Sequence, residues 1–197
     1  EFRVGEYDLG PQYYVTATAA AGDAGRVMAQ ASASLEQCSN LVPACTWQNG
    51  NLNQNQASYL EGDSVPYRLL FSNLTLASHT VTIEWDTTQS GKHGIDFLTS
   101  FNRTVTGANA CQGVSGCSGS TTFAIPVDLN LVPGSVPPYD GTSHTGQSFR
   151  LFGGTITGLS LFTLSGSYAG NSSTRITITF NASVSNPVLA WGGHIAH

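Results

Sequence analysis

The side chains able to do chemistry are few in this chain and mostly scattered. The densest group lies within EWDTTQSGKHGIDF, where Glu84, Asp86, Lys92, His93 and Asp96 crowd one predicted strand and its turn. Two acids and a histidine could hold a cation or act as an acid and base pair. A turn stabilised by Asp86 with a salt link from Lys92 accounts for the same residues without any ligand, and it is the reading taken first. The five histidines, His79, His93, His144, His194 and His197, fall in no zincin, nucleophile-elbow, kinase or P-loop pattern. Serine is so abundant that no Ser/His/Asp set stands out. The expectation is therefore a protein that is not an enzyme, with no catalytic, metal or cofactor residue. Lys92, the only lysine, could in principle form an isopeptide crosslink with Glu84 as the assisting acid, but the flanking Gly91 and polar loop argue against the burial this requires.

Other residue types point to covalent stapling and surface modification. Cys38 and Cys45 form one close pair and Cys111 and Cys117 another, both read as lying in loops. Three connectivities are possible, of which local pairing is the simplest. The spacings do not match the short ligand spacings of zinc sites, and no histidine adjoins either pair, so disulfides and an oxidising compartment are expected. Asn-x-Ser/Thr sequons occur at Asn73, Asn102, Asn171 and Asn181; Asn171 in a turn and Asn181 on a predicted wet face are the best acceptors. Tyr13, Tyr14, Trp47, Tyr59, Tyr139 and Trp191 could build a sugar-binding platform, although aromatics in β-sandwiches more often belong to the core.

Composition bounds the partners. Only 10% of the 197 residues are charged, against 40% hydrophobic, and the net charge is -5. The surface must then consist largely of neutral hydroxyls and amides, which suits a protein outside the cell. The seven basic residues form no cluster, so nucleic acid is not expected as a partner. No apolar run approaches the roughly 18 residues of a membrane helix. Lacking an initiator Met and a signal-peptide core, the chain reads as a mature or trimmed product.

The elements that position these residues are strands. Period-two alternation recurs and helical periodicity is almost absent. Strands are predicted at Tyr13 to Ala19, Arg26 to Ser34, Val65 to Ser72, His79 to Trp85, Thr121 to Ile125, Phe149 to Ile156, Leu159 to Ser165, Arg175 to Val184 and Val188 to Trp191. In the strand from Arg175, Ile176, Ile178, Phe180, Ala182 and Val184 share the core face. Trp47 to Gln56 and Asn130 to Gln147 read as loops, and Ile95 to Phe101 as a strand or a helical turn. The fold expected is all-β: one antiparallel β-sandwich of nine or more strands with Greek-key or jelly-roll connections.

Residues 1–25 are set apart as an N-terminal strand and hinge, and 26–197 as the sandwich. The segment Tyr13, Tyr14, Val15, Thr16, Ala17, Thr18 and Ala19 is followed by the small-residue run Ala20 to Gly25. Such a strand can complete its own sheet or be donated to the open edge of a neighbouring subunit.

Three stretches, WQNGNLNQNQASYLEGDSVPYRLLFSNL, HTVTIEWDTTQSGKHGIDFLTSFNRT and NPVLAWGGHIA, together resemble an uncharacterised β-rich domain near the N-terminus of large predicted secreted or cell-surface proteins of bacteria. The resemblance runs from about Cys38 to Ala196. It implies secretion and a β fold, places all four cysteines where that family has paired ones, and brings no chemistry with it. Family members usually continue past the segment matching GGHIA, whereas this sequence stops at His197; either a longer precursor was cut or a short version stands alone, and the second would suit a self-assembling subunit. In general design it is similar to strand-exchanging extracellular filaments. The function expected is a subunit of an extracellular or cell-surface fibre, assembled as a head-to-tail homopolymer by β-strand complementation. The alternative is an adhesive module binding glycans or proteins through the loops at 47–56 and 130–147.

Overall fold

A computed structural model describes residues 16–18, 31–41, 45–53, 55–132 and 144–196. Among them are thirteen strands and no helix: β1 (Thr16–Thr18), β2 (Ser32–Ser39), β3 (Thr46–Asn49), β4 (Ser64–Ser72), β5 (Ser78–Gln89), β6 (Lys92–His93), β7 (Ile95–Thr99), β8 (Ser120–Ala124), β9 (Ser148–Phe152), β10 (Gly154–Leu159), β11 (Thr163–Gly166), β12 (Ser172–Ala182) and β13 (Val188–Ile195). They form two wholly antiparallel sheets. Sheet I has the order β1-β5-β12-β10, with β6 on β5 and β11 on β12; sheet II has the order β3-β2-β4-β13-β9-β8, with β7 on β13.

The central pair of sheet I shows why the sequence folds this way. In β12, Ile176, Ile178 and Phe180 are buried while Arg175 and Asn181 are exposed, and in β5, Val81, Ile83 and Trp85 are buried. The two strands pair with Ile176 opposite Ile83 and Ile178 opposite Val81, so that their apolar residues share one face. That face meets Tyr67, Leu69, Leu151, Leu189 and Trp191 of sheet II in one core. Each such side chain contributes about 1.5–3 kcal/mol on burial.

Sheet II is covered on both sides. β13 is buried along its whole length, with Leu189 and Trp191 in the inter-sheet core and Val188 and Ala190 in a second cluster. The cover is the segment after β7: Phe101, Ala108 and Ala110 pack there with Cys38 and Cys45. The cysteines pair locally, Cys38 with Cys45 and Cys111 with Cys117. Both disulfides thus serve the outer layer, and they fit an oxidising compartment.

Several predicted boundaries shift. The run from Phe149 to Ile156 is two strands in different sheets, because the chain crosses between them at Gly153, whose φ of 74° suits glycine. A Cβ on Gly154 would lie 2.6 Å from Asn181 O, so only glycine lets the strand close in here. The strand expected from Arg26 to Ser34 is described from Ser32 and runs on to Ser39, where Glu36 and Gln37 pair with Arg68 and Tyr67. Cys38 is therefore a strand residue rather than a loop residue. Trp47 to Asn49, expected in a loop, is β3, held by pairing with β2. The span from Leu159 to Ser165 divides between the end of β10 and β11. Ile95 to Thr99 is the strand β7, and Val184, beyond the end of β12, is 39% exposed rather than core.

Candidate functional site

Sheet edges, rather than a catalytic centre, are where the expected functional segment falls. β1 lies at the margin of sheet I, antiparallel to β5, with Thr16 opposite Thr82, Ala17 opposite Val81 and Thr18 opposite Thr80. Of the predicted N-terminal strand only Thr16, Ala17 and Thr18 are described; Tyr13, Tyr14, Val15 and Ala19 lie outside the described residues. On its other side β5 pairs with β12 from Ser78 to Thr88. β6 covers Thr88 and Gln89, and Thr87 O accepts the Gly94 N–H at 2.9 Å. Between β1 and that hairpin, Ile83, Glu84, Trp85 and Asp86 have no strand beside them among the described residues.

The acidic group singled out in the sequence is split by the fold. Glu84 stays on the outer side of β5 and accepts a 2.6 Å hydrogen bond from Ser173 Oγ. Asp86 is near it, and burial together with the Glu84 charge raises its carboxyl above the usual range. Lys92 is exposed on the β5–β6 hairpin, which does not provide the buried lysine an isopeptide crosslink needs. Asp96 points elsewhere. It is buried with His194, whose Nδ1–H donates to Asp96 Oδ1 at 2.7 Å, and the Phe97 N–H donates to the same oxygen at 2.8 Å. The Phe97 ring stacks on the imidazole with centroids 4.1 Å apart.

Near this pair are three more titratable groups. Asp128 Oδ1 accepts both the N–H and the Nδ2 of Asn130 at 2.9 and 2.8 Å. Burial pushes the Asp128 carboxyl up, against the lowering effect of those bonds and of His144. The Tyr168 phenol is pushed up to about 12 by burial, with Asp128 and Asp96 adding to the shift. Trp85, Phe97, Ile125, Asp128, His144 and Phe162 line a crevice that leaves no room for a water molecule. His194 and Asp96 resemble the oriented base of a hydrolase, but at 1% exposure each they are sealed in. Of the hydroxyls nearby, Thr99 Oγ1 donates to Ser100 O and Ser100 Oγ accepts the Ser148 N–H, whereas Ser64 Oγ, on the β4 residue paired with His194, is buried without a hydrogen-bond partner among the described residues. As arranged, the pair ties β7 to β13. No group of three or more His, Cys, Asp or Glu among the described residues is disposed to hold a metal ion.

A second buried ion pair went unseen in the sequence. Arg68 on β4 donates from Nε to Glu36 Oε2 at 2.7 Å and from Nη1 to Ala110 O and Gln112 O at 2.9 and 2.7 Å. Its guanidinium lies 4.6 Å over the Trp47 ring, whose Nε1–H donates to Asn109 O at 2.9 Å. This clamp holds the loop closed by Cys111 and Cys117 onto sheet II. The available signal was a lone arginine inside the apolar run Val65 to Phe71.

Among the described residues, the aromatics considered for a sugar-binding platform do not assemble into one. Tyr59 and Trp191 are core residues at 0% exposure, because Tyr59 bonds inward to Cys38 O and Trp191 stacks on Tyr67. Trp47 is half-buried under Arg68, and Tyr139 lies outside the described residues. Among the sequons, Asn73, Asn171 and Asn181 are exposed and Asn102 is half-buried. Asn171 Oδ1 accepts the Ser90 N–H at 2.8 Å. Compared with known protein families, with curated proteins and with solved structures, the chain matches none.

Proposed function

We propose that this chain is an extracellular structural protein, a subunit of a fibre assembled by β-strand complementation between copies. One observation carries the reading: among the described residues, β1 stands at the end of the strand order of sheet I, while the next described strand, β2, belongs to sheet II. An edge strand tied to its own domain by a long connection is the type of element that subunits exchange. Two disulfides and a surface poor in charge accord with a fibre exposed to the outside. Exposed Asn73, Asn171 and Asn181 leave room for glycans on the assembled surface.

The adhesive alternative has less behind it, since Trp47 is committed to Arg68 and Asn109. Negative-stain images and size-exclusion of the whole chain test the proposal. Filaments that persist on dilution support it, as does their loss when residues 1–20 are deleted. A monodisperse monomer across concentrations, retained on a glycan array, would replace it with the adhesive reading.

A further inference from the structure

We infer that Asn49 is a site of spontaneous deamidation, at which the backbone nitrogen of Gly50 closes on the side-chain carboxamide and a new carboxylate arises beside the Glu36–Arg68 clamp. The inference concerns the chain's own chemistry and is independent of the fibre reading. Asn49 is the only asparagine in the sequence that is followed by glycine. The reaction needs water and nothing else. Gly50 N attacks Asn49 Cγ and gives up its proton, the Cγ–Nδ2 bond breaks, and ammonia leaves a five-membered succinimide behind. Water then adds to one of the two ring carbonyls. Opening the Cγ–N bond restores the main chain with aspartate at 49, and opening the other C–N bond leaves an isoaspartyl link that runs through Cβ and Cγ.

The structure favours this closure at Asn49 over other exposed asparagines. Asn49 and Gly50 are both exposed. Gly50 has a φ of 87°, and a Cβ built on it would meet nothing within 4 Å, so neither a side chain of its own nor a neighbour crowds the approach to Cγ. Asn49 is the last residue of the four-residue strand β3, and its pairing with Glu36 ends that ladder. A terminal pair opens at little cost, which lets the backbone reach the geometry of attack. Asn109 and Asn171 are exposed as well, but they precede Ala110 and Ser172, at 1% and 5% exposure. Their carboxamides are also held, Asn109 Oδ1 by the Cys111 N–H at 3.0 Å and Asn171 Oδ1 by the Ser90 N–H at 2.8 Å.

Register decides what the new charge meets. Asn49 lies opposite Glu36, and Glu36 opposite Arg68. Directly opposed residues share a face, so one row reads amide, carboxylate, guanidinium. Deamidation sets a second carboxylate directly across from Glu36, a like-charge pair that destabilises the β2–β3 pairing. It also removes the Nδ2 donor that Asn49 gives to Ser34 Oγ at 2.8 Å. The isoaspartyl product goes further, because it lengthens the main chain by one atom just before Gly50, whose carbonyl accepts Gln37 Nε2 at 3.2 Å. Both products loosen the hold of β3 on β2.

The test holds the whole folded chain at neutral and at mildly alkaline pH, samples it over weeks, and maps its peptides by mass spectrometry. The peptide carrying position 49 should become one mass unit heavier and split into aspartyl and isoaspartyl forms, at least tenfold faster than the peptides carrying Asn109 and Asn171. The rate should rise with pH, because the amide nitrogen attacks after losing its proton. Asn49→Asp installs one product outright and should melt about 2–4 °C below the parent, with the gap closing in high salt. Deamidation at Asn49 no faster than at Asn109 overturns the site. An Asn49→Asp variant that melts with the parent overturns its link to the clamp.

Discussion

Replacing Arg68 by leucine removes the guanidinium that ties β4 to Glu36 and to the carbonyls of Ala110 and Gln112. Glu36 is then left without its cation, and both carbonyls lose a donor beneath the outer layer. Breaking a fully buried pair costs about 3–5 kcal/mol; because the Glu36 side chain keeps 17% exposure, the lower end, about 3 kcal/mol, is expected. For a chain of this length that lowers Tm by about 6–12 °C. Calorimetry measures the shift, and hydrogen exchange at Gln112 and Val114, whose amides close turns in the same loop, locates it. Arg68→Lys keeps the charge but not the planar fork, so it should lose an intermediate amount. A leucine variant that melts within 2 °C of the parent, with loop exchange unchanged, would falsify the clamp.

Asp128 is held with its carboxyl raised, so the folded state keeps a proton that the unfolded state has released. Stability should therefore fall as pH rises from about 4 through the raised value, and Asp128→Asn should flatten that slope in denaturant titrations. Tyr168, raised to about 12, should ionise last or nearly so in an ultraviolet titration; its contribution to stability is lost between pH 10 and 12, and Tyr168→Phe should remove that fall. Gly192 faces Thr99 and Ser100 so closely that an added Cβ would meet Thr99 Oγ1 and come within 2.8 Å of Ser100 O. Gly192→Ala should cost about 1–3 kcal/mol through overpacking, read as a lower midpoint in guanidinium. All four cysteines should resist alkylation until reduced, Cys38 and Cys45 only after unfolding as well, since they are 0% and 1% exposed.

What the sequence determined by itself was whatever repeats every second residue. The alternation Ile176, Ile178, Phe180 and its partner Val81, Ile83, Trp85 specified strands, their buried faces and hence a sandwich, because a strand's two faces are written in adjacent positions. Scarce charge and close cysteine pairs likewise indicated a neutral, stapled surface. The tertiary structure decided what depends on distant partners. His194 meets Asp96 across 98 residues, and Arg68 meets Gln112 across 44; neither pairing leaves a local pattern. The break at Gly153 was invisible for the same reason, since an alternating run looks alike whether it stays in one sheet or crosses to the other.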